Sequence, residues 1–316
     1  MNDFSGFSTI PSAPPGFKSG FVGIIGRPNV GKSTLMNDLI GQKIAITSPV
    51  AQTTRNRLRG ILTSDTAQII FVDTPGIHKP HHQLGKVLVQ NARAAINSVD
   101  VILFVVDGAT EAGGGDRFIA NMLTHSPIPV LLGLNKIDLQ PAEQAEEIED
   151  SYRDLAATAA ADSVWPLLKF SALTGEGLDS LQTLIVDRLE TGPYYYPPDL
   201  VTDQPERFIM GELIREQILR LTREEVPHSV AVAIERVEET PKLTRIHASI
   251  NVERSSQKGI LIGKSGAMLK EIGSAARGQI QKLINGKIYL ELFVRVQPRW
   301  RQSRTRLAEF GYSPDD

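Results

Sequence analysis

The sequence predicts two domains in succession: a doubly wound α/β domain with a mostly parallel sheet, followed by a smaller α+β domain. Apolar runs alternate with amphipathic helical patterns over residues 20–190, which is typical of a parallel sheet covered by helices. A loop with the spacing G-x-x-x-x-G-K-S lies between the first apolar run and the first helical pattern. A stretch rich in Tyr and Pro at 193–198 ends this alternation, and a different order of elements follows it.

Composition sets the outer limits of the interpretation. The chain has 316 residues, enough for about two domains. It contains no cysteine, which excludes disulfides and cysteine-ligated zinc or iron–sulfur sites. Its apolar runs fall far short of the ~20 residues that a membrane span needs. Residues 1–19 are rich in Ser, Pro and Gly and lack the basic start and apolar centre of a secretory signal, so we expect a disordered tail there.

The first strand is predicted at 21–25, and the loop that follows it suits a nucleotide phosphate chain. Its glycines let backbone N–H groups point at the phosphates, and the next helix contributes the positive end of its dipole. Lys32 is expected to contact the β- and γ-phosphates, and Ser33 to bind Mg²⁺. The alternative is an ordinary glycine turn between a strand and a helix. The residues assigned to phosphate binding are Gly26, Arg27, Pro28, Asn29, Val30, Gly31, Lys32, Ser33 and Thr34.

The next strand-like runs, at 61–63 and 67–72, end in the sequence Asp-Thr-Pro-Gly. A carboxylate at a strand end beside a glycine suits a Mg²⁺-bound triphosphate. Asp73 would hold a metal-bound water, and the Gly76 N–H would contact the γ-phosphate. The residues assigned to this catalytic segment are Asp73, Thr74, Pro75, Gly76 and Ile77.

The rest of the first domain is predicted as helices at 84–98, 116–125, 141–160 and 177–190, with strands at 101–106, 130–134 and 164–170. Ligands of such sheets bind at the carboxyl ends of the strands. Two of these ends carry polar segments that suit a guanine base: Asn135, Lys136 and Asp138 after one strand, and Ser171, Ala172 and Leu173 after another.

Asp138 is expected to select guanine, because its carboxylate can accept two hydrogen bonds from guanine that adenine cannot supply. We expect Asn135 to brace the loops and contact N7. The stem of Lys136 would lie over the ring, and the Ala172 N–H would contact O6.

Residues 20–191 therefore resemble the small GTPases of the translation-factor-related group, within the superfamily that includes the TrmE- and EngA-like GTPases. The matching motifs are GRPNVGKS, the threonine pair of QTTRN, DTPG, NKID and SAL. The resemblance implies GTP hydrolysis with slow intrinsic turnover and two switch segments, at 42–59 and 77–85. It assigns the Mg²⁺ ligands Ser33, Asp73 and Thr54, with Thr53 as the alternative to Thr54. The first switch is assigned around Gln52, Thr53, Thr54, Arg55 and Asn56.

Ile77 departs from the pattern of many GTPases, which have at this place a glutamine that orients the attacking water. Related GTPases with an apolar residue here often carry an asparagine in the phosphate loop and use K⁺. Asn29 matches that asparagine, so we expect K⁺ to stimulate hydrolysis. The alternative role for Asn29 is that of a loop-capping residue.

The second domain is predicted at 205–306, between a linker at 192–204 and a C-terminal tail at 307–316. Its helix from 205, strands at 229–237 and 244–252, helix at 267–283 and strand at 287–296 give the order α-β-β-α-α-β. The two consecutive helices are joined by a G-x-x-G loop, Gly263 to Gly266. This arrangement resembles a type II KH domain, whose loop clamps about four nucleotides of single-stranded RNA.

Charge supports a polyanion partner for this domain, because residues 254–306 contain 12 Lys or Arg and only two acidic residues. The alternative is a protein-interaction module that keeps the fold. Ile260, Leu261 and Ile262 are expected to form an apolar wall under the bases. The residues assigned to RNA binding are Lys258, Ile260, Ile262, Gly263, Lys264, Ser265, Gly266 and Lys270, and further charge is expected from Arg277, Lys282, Arg295, Arg299, Arg301, Arg304 and Arg306.

A GTPase domain followed by a KH domain resembles the bacterial KH-domain GTPases of small ribosomal subunit assembly. The resemblance implies binding to the 3′ end of 16S rRNA in the 30S subunit, with the nucleotide state controlling RNA affinity. It also implies a cytoplasmic monomer with peripheral contact at the inner membrane. Two alternatives are an NTPase whose KH-like domain binds protein, and an RNA-binding scaffold that holds a nucleotide for stability.

Overall fold

The computed structural model describes residues 10–48, 50, 53, 55, 58–74, 76–77, 96, 98–124, 126–159, 165–284, 286–310 and 312. Contacts divide them into two compact units. The first comprises the described residues of 10–44, 58–77 and 96–203, and the second comprises those of 45–55 and 204–312. The predicted helix at 84–98 lies outside the described residues except for Ile96 and Ser98.

The first unit contains one sheet in which neighbouring strands follow the order β2-β3-β1-β4-β5-β6. Among the described strands, β2 alone runs antiparallel to its neighbour, β3. The sheet therefore confirms the predicted doubly wound, mostly parallel architecture. The strands are β1 (Lys18–Ile25), β2 (Leu58–Thr63), β3 (Ala67–Asp73), β4 (Val101–Asp107), β5 (Val130–Asn135) and β6 (Leu167–Lys169).

Helices of this unit pack against the buried central strands. Within the core, Phe104 of β4 lies in one cluster with Ile119 and Tyr152, which come from helices. The predicted helix at 141–160 begins with a 3-10 turn, Ala142–Gln144, and the predicted strand at 164–170 has only three residues in ladder pairing. The α-helices are α1 (Lys32–Ile40), α2 (Gly114–Leu123), α3 (Ala145–Ala159) and α4 (Leu178–Arg188).

The prediction of a disordered tail at 1–19 is wrong for the last residues of that stretch, which are part of the folded first unit. Phe17 is 1% exposed and its ring centroid lies 4.4 Å from that of Tyr194. Lys18 opens β1, where it pairs with Ala67 of β3. The end of the predicted tail is therefore part of the core, because its aromatic ring and its backbone find partners far away in sequence. Residues 1–9 lie outside the described part of the chain.

The stretch predicted as a linker, 192–204, packs on the first unit up to residue 203. Gln68 Oε1 accepts hydrogen bonds from the backbone N–H groups of Tyr195 and Tyr196, at 2.8 and 3.0 Å. The Tyr195 ring also lies 5.2 Å from that of Phe21. This stretch is therefore held against strands β3 and β1 by both polar and aromatic contacts.

The second unit has the predicted order α-β-β-α-α-β, with two short helices added, which confirms the KH-like fold. Strand β8 lies between β7, to which it is antiparallel, and β9, to which it is parallel. Ser229, predicted to open a strand, instead ends a helical turn. The elements are α5 (Glu206–Leu221), α6 (Val226–Ser229), β7 (Ala231–Thr240), β8 (Leu243–Val252), α7 (Ser255–Ile262), α8 (Ala267–Ile284), β9 (Ile288–Val296) and α9 (Arg304–Glu309).

The predicted C-terminal tail at 307–316 is wrong for its described residues. Leu307 lies in α9, and Leu307 and Tyr312 are buried against Trp300. The Trp300 indole in turn donates a hydrogen bond of 2.9 Å to the Ser229 carbonyl. These apolar side chains are ordered because they cover one another, which local composition does not reveal. Across the described residues, none of the helices is long and apolar enough to pass through a bilayer.

Candidate functional site

The loop after β1 has a backbone shape that admits a phosphate chain. Gly31 and Asn29 have left-handed conformations, with φ of 98° and 65°. A Cβ at Gly31 would lie 2.2 Å from Asn135 Nδ2, and one at Gly26 would lie 2.3 Å from the Val105 carbonyl. Both glycines are therefore required by close packing. Because α1 begins directly after Gly31, its first N–H groups face this loop.

Lys32 is held beneath the loop. Its side chain is buried, and Nζ donates to the carbonyl oxygens of Gly26 at 3.1 Å and Arg27 at 2.9 Å. Burial lowers the pKa of Lys32 to about 8, although Asp73 acts in the opposite direction. The ammonium is thus positioned among neutral oxygens that negatively charged phosphate oxygens would replace.

Ser33 and Asp73 bring two hard oxygen donors together. The Ser33 hydroxyl donates to Asp73 Oδ2 at 2.7 Å, and Asp73 is fully buried at the end of β3. Oxygen donors of this kind are what Mg²⁺ prefers. The third expected ligand, Thr54, lies outside the described residues. Among those described, no three His, Asp or Glu side chains cluster as a metal site.

The Asp-Thr-Pro-Gly segment places its residues in different surroundings. The Thr74 hydroxyl is buried and donates to the Ile24 carbonyl at 2.9 Å, so it anchors the end of β3 to β1. The backbone of Gly76 lies against the phosphate loop, since a Cβ there would be 2.7 Å from the Pro28 nitrogen. The Ile77 side chain is 2% exposed and belongs to the core. Pro75 lies outside the described residues.

Asn135 joins the two halves of the site. Its Nδ2 donates to the Val30 carbonyl at 2.8 Å, and its Oδ1 accepts from the Ala172 N–H at 2.9 Å. The side chain therefore links the phosphate loop to the loop after β6. The sequence predicts that the Ala172 N–H contacts guanine O6, but in the structure this N–H already donates to Asn135 Oδ1. A bound guanine would have to share it.

The remaining base-site residues are held by neighbours at the same edge of the sheet. Ser171 Oγ donates to Asp138 Oδ1 at 2.6 Å, which orients the carboxylate. Lys136 has a left-handed backbone, with φ of 67°, and its Nζ lies 2.6 Å from Asp107 Oδ2. The Leu173 side chain is 75% exposed beside them.

Asp107 is a site residue that sequence reasoning missed. It ends β4, and in the register of the sheet it pairs directly with Asn135 of β5. A charged residue at the end of the apolar run 101–106 was the available signal, because neighbouring parallel strands bring their carboxyl ends together. Its carboxylate fixes the stem of Lys136.

Arg27 was also assigned to phosphate binding, but the structure ties it to Asp116. Its Nε donates to Asp116 Oδ1 at 2.7 Å, and Asp116 is fully buried. Burial alone would lower the pKa of Arg27, yet Asp116 raises it above the ordinary value. The other carboxylate oxygen of Asp116 accepts the Gly113 N–H at 2.9 Å. This side chain therefore braces the loop rather than standing ready for a phosphate.

The predicted first switch at 42–59 is divided between the two units: its described residues within 45–55 belong to the second unit, whereas 42–44, 58 and 59 belong to the first. The Thr47 N–H donates to Glu216 Oε1 at 2.9 Å, and Glu216 is fully buried in α5. The carbonyl of Thr53 accepts a hydrogen bond from Arg215 of the same helix. Gln52, Thr54 and Asn56 lie outside the described residues.

Arg55 is the buried cation of this segment. It is 2% exposed, and its guanidinium donates to the carbonyls of Val230 at 2.6 Å and Pro227 at 3.2 Å. The same group lies 5.9 Å from the ring centroid of Trp300 and 5.6 Å from that of Tyr312. The segment is thus anchored by a buried cation whose partners are carbonyls and aromatic rings.

The G-x-x-G loop joins α7 to α8 in the second unit. Gly263 has φ of 69°, and a Cβ there would lie 2.8 Å from Met268 Cβ. Gly266 also has a positive φ, 81°, but its surroundings are open. Lys264 and Ser265 are exposed between the two glycines. The loop therefore presents one positive charge and its backbone to solvent.

A groove runs from this loop between the helices and the edge strand β9. Ile262 lines it, but Ile260 is 52% exposed on the surface and Leu261 is fully buried. The predicted apolar wall is therefore wrong for Leu261, because successive residues of a helix face different sides. The groove is lined at one end by Lys258, Ile262, Leu269, Leu292, Phe293 and Arg295, and at the other by Gly266, Leu269, Lys270, Gly273, Arg277 and Tyr289.

The basic residues near the groove divide into two classes. Lys258, Lys264, Lys270, Arg277 and Lys282 make no ion pair with any described residue, whereas Arg295, Arg301 and Arg306 pair with Glu235, Glu253 and Glu309 at 2.9, 2.5 and 2.5 Å. The expected contribution of those three arginines is therefore offset by their partners. Three of the five unpaired cations, Lys258, Lys270 and Arg277, line the groove.

Comparison with known protein families finds two matches in the order that the fold suggests. A family model described as 50S ribosome-binding GTPase matches residues 21–136. A KH domain model matches residues 225–301.

Relatives that match nearly the whole chain include two proteins with the name GTPase Era. The GTPase Era of Nostoc sp. is 71% identical over 316 residues, covering 100% of this chain and 96% of its own length. That of Rippkaea orientalis is 72% identical over 305 residues, covering 96% of each chain.

Two solved structures are similar over nearly the whole fold, each 38% identical with a TM-score of 0.87 over 94% of this chain. One is Era in complex with MgGDPNP and nucleotides 1506–1542 of 16S ribosomal RNA, of which 99% is covered. The other is a variant of Aquifex aeolicus Era bound to GDP·AlF4⁻, of which 100% is covered.

Proposed function

This chain belongs to the GTPase Era family, and we propose that it is a GTP-hydrolysing switch that binds the 3′ end of 16S rRNA and acts in assembly of the 30S ribosomal subunit. The observation that carries the nucleotide part is Asn135, whose two hydrogen bonds join the phosphate loop to the base loop. We propose a GTPase domain at 20–191 and an RNA-binding KH domain at 205–306, joined by 192–204.

Each nucleotide-site residue has a role that follows from its position. Lys32 would exchange its carbonyl partners for β- and γ-phosphate oxygens, and Asp138 would accept the guanine N1 and exocyclic amine protons. Ser33 and Asp73 would hold Mg²⁺, which neutralises charge on the phosphates. Hydrolysis adds water to the γ-phosphorus, breaks its bond to the β-phosphate oxygen, and yields GDP and phosphate.

Positioning of the attacking water falls to backbone groups, because the Ile77 side chain is apolar and buried. The Gly76 backbone lies beside the phosphate loop, and Thr54 is the candidate in the first switch. This arrangement gives slow intrinsic turnover.

A monovalent cation at Asn29 would supply the charge that other GTPases take from an arginine. Asn29 has a left-handed backbone at the tip of the loop, and the nearby Arg27 is occupied by Asp116. We expect faster hydrolysis in K⁺ than in Na⁺ at equal ionic strength, and Asn29→Ala should abolish the difference. Equal rates in both salts, with unchanged GTP affinity, would contradict this role.

RNA binding is assigned to the groove beside the G-x-x-G loop. The open surroundings of Gly266, the exposed Lys264 and the unpaired cations that line the groove suit a single RNA strand whose phosphates approach the backbone closely. The similar solved structure with 16S ribosomal RNA supports this RNA as the target.

Coupling between nucleotide and RNA is proposed to act through the first switch. The segment expected to respond to the γ-phosphate makes its contacts, through Thr47 and Arg55, inside the unit that carries the RNA groove. A nucleotide that rearranges this segment would therefore alter contacts of the RNA-binding unit.

The two halves of the proposal are tested by a pair of variants. Asp138→Asn should shift nucleotide preference from GTP towards XTP and leave RNA binding intact. Lys264→Asp, with both glycines of the loop kept, should weaken RNA binding at least tenfold and leave GTP affinity intact. Equilibrium titrations of both variants with both ligands make the test. Loss of both affinities in one variant would indicate misfolding, and no effect of Lys264→Asp would favour a protein-binding role for the groove.

We further propose a cytoplasmic monomer that contacts the inner membrane peripherally through Arg299 and Arg304. Both arginines follow β9 and make no ion pair with any described residue. Flotation with anionic vesicles should recover the protein in a salt-sensitive manner. Recovery that is equal with neutral vesicles, or absent with anionic ones, would contradict the membrane contact.

A further inference from the structure

Two aromatic rings stand exposed on the edge strand of the second unit. Tyr289 is 48% exposed and Phe293 is 46% exposed, although both belong to β9. Between them along the strand, Leu290 and Leu292 pack against the hydrophobic core. Large aromatic side chains on an open sheet face are not required by the fold, and they suggest a binding surface.

Contacts across the strands place both rings on the sheet face opposite the helices. The Arg245 guanidinium of β8 lies 5.5 Å from the Tyr289 ring centroid. One step along, His247 Nδ1 lies 2.9 Å from Glu291 Oε2. Because side chains alternate along a strand, Phe293 shares this face with Tyr289 and Glu291. Ser249 pairs with Phe293 in the register, and although Ser249 is buried, Phe293 remains nearly half exposed.

The same two rings also border the groove described above. Phe293 lines the end near Lys258, and Tyr289 lines the end near Lys270 and Arg277. The strand β9 lies at the edge of its sheet. A single-stranded RNA that leaves the groove would therefore meet the outward side chains of β9 first. The face and the groove are therefore continuous.

We propose that RNA held by the G-x-x-G loop continues over the edge of β9 and stacks bases on Tyr289 and Phe293. The inference rests on the proposed RNA-binding function and extends its surface. A G-x-x-G loop accounts for about four nucleotides. The RNA in the similar solved structure spans nucleotides 1506–1542, which is far longer than the stretch that such a loop holds.

This face would bind RNA by base stacking rather than by charge. Arg295 is paired with Glu235 at 2.9 Å, and Arg236 with Glu238 at 2.7 Å, so the face has little net charge. Aromatic rings accept any base on their π-face, and sheets of other RNA-binding domains use aromatics in this way. The two rings are four residues apart, about 13 Å along a strand, which is far enough for each to take a separate base.

The test compares two RNAs on the full-length protein with a non-hydrolysable GTP analogue bound. One RNA covers nucleotides 1506–1542, and the other is cut to about the four nucleotides that the loop holds. Tyr289→Ala and Phe293→Ala should each weaken the long RNA by about 5- to 100-fold and leave the short RNA unchanged. Tyr289→Phe and Phe293→Trp, which keep a ring, should restore binding of the long RNA.

The salt dependence of RNA affinity distinguishes stacking on the two rings from a general weakening of RNA binding in the groove. The alanine variants should keep the slope of log K against log salt, whereas Lys270→Ala should reduce it by about one. If alanine at both positions leaves the affinity for the long RNA unchanged, the proposal is overturned. If both RNAs weaken equally, the rings only support the groove, and the proposal also fails. Lys264→Asp must weaken both RNAs. If it weakens neither, the proposed RNA-binding function fails independently.

Discussion

Lys32 shows how much of the nucleotide site is prepared before a ligand arrives. It is buried among carbonyl oxygens, and Asp73 is the carboxylate that acts on its charge. Burial without a contacting anion disfavours the ammonium, which explains the low pKa. Phosphate oxygens would supply the missing negative charge, so nucleotide binding should favour the protonated lysine.

Nucleotide binding is therefore expected to take up protons in mildly alkaline solution. In the free protein Lys32 has a pKa of about 8, and a bound phosphate raises it. Above that pH, part of the free protein must gain a proton before it binds, so affinity should fall by up to tenfold per pH unit. Calorimetric titration with GDP at pH 8.5, in two buffers of different ionisation enthalpy, measures the protons taken up.

The matched control is the same titration at pH 6.5, where Lys32 is already protonated and uptake through it should vanish. Lys32→Arg provides a second control, because arginine stays charged throughout this range. Equal uptake at both pH values would contradict the role given to burial.

Other residues of the site could not be predicted from the sequence, and the reason is physical. Spacing along the chain reveals the loop glycines, Lys32 and the polar residues at strand ends. It does not reveal which distant side chain completes them. Asp107 and Asp116 act on Lys136 and Arg27 from elements far along the chain, so their roles depend on strand order and helix placement.

At the level of elements, hydrophobic periodicity predicted most of the strands and helices to within a few residues. It failed where order depends on distant partners. Residues 17–19 and 307–312 have tail-like composition, yet Phe17 and Tyr312 are buried against aromatic rings from other segments. The short β6 is a related case, since only three of the residues predicted there have ladder partners.

The G-x-x-G loop gives a prediction at this scale, because its two glycines differ in surroundings. Alanine at either position meets an unfavourable backbone, at a cost of about 1–2 kcal/mol. At Gly263 the new Cβ would also collide with Met268 Cβ, at 2.8 Å, whereas at Gly266 nothing lies within 4 Å. Gly263→Ala should therefore reduce RNA affinity at least tenfold, and Gly266→Ala by less.

RNA titrations of the two variants, beside thermal unfolding of each, make this comparison. GTP affinity serves as the control, since neither glycine belongs to the nucleotide site. If Gly266→Ala has the larger effect, closeness of RNA to the loop, rather than packing on Met268, determines the need for glycine.

For the molecule as a whole, the informative feature is that the described residues within 45–55, the middle of the predicted first switch, belong to the second unit. Arg55 is a buried cation whose described partners are backbone carbonyls and two aromatic rings. Burial lowers its pKa, and Arg215 nearby lowers it further, while Tyr312 raises it. A cation held without a contacting carboxylate is a costly arrangement. The contacts that hold this cation would be lost if the segment left this place in another nucleotide state.

If the segment has to detach when it closes over the γ-phosphate, the hydrogen bonds of Arg55 oppose GTP but not GDP. Arg55→Ala removes the bonds to Val230 and Pro227, each worth about 1 kcal/mol or more for a charged donor. Affinity for a non-hydrolysable GTP analogue should then rise by about 5- to 30-fold, with GDP affinity unchanged.

Arg306→Ala is the matched control, because that arginine is half-exposed and its one ion pair within the described part of the chain is with Glu309. Circular dichroism establishes that both variants are folded before nucleotide titration. RNA affinity should also depend less on nucleotide in the Arg55 variant, since a contact that links the two ligands has been removed. An equal gain for GDP and the GTP analogue would show that Arg55 merely stabilises the fold, and the proposed coupling through the first switch would have to be abandoned.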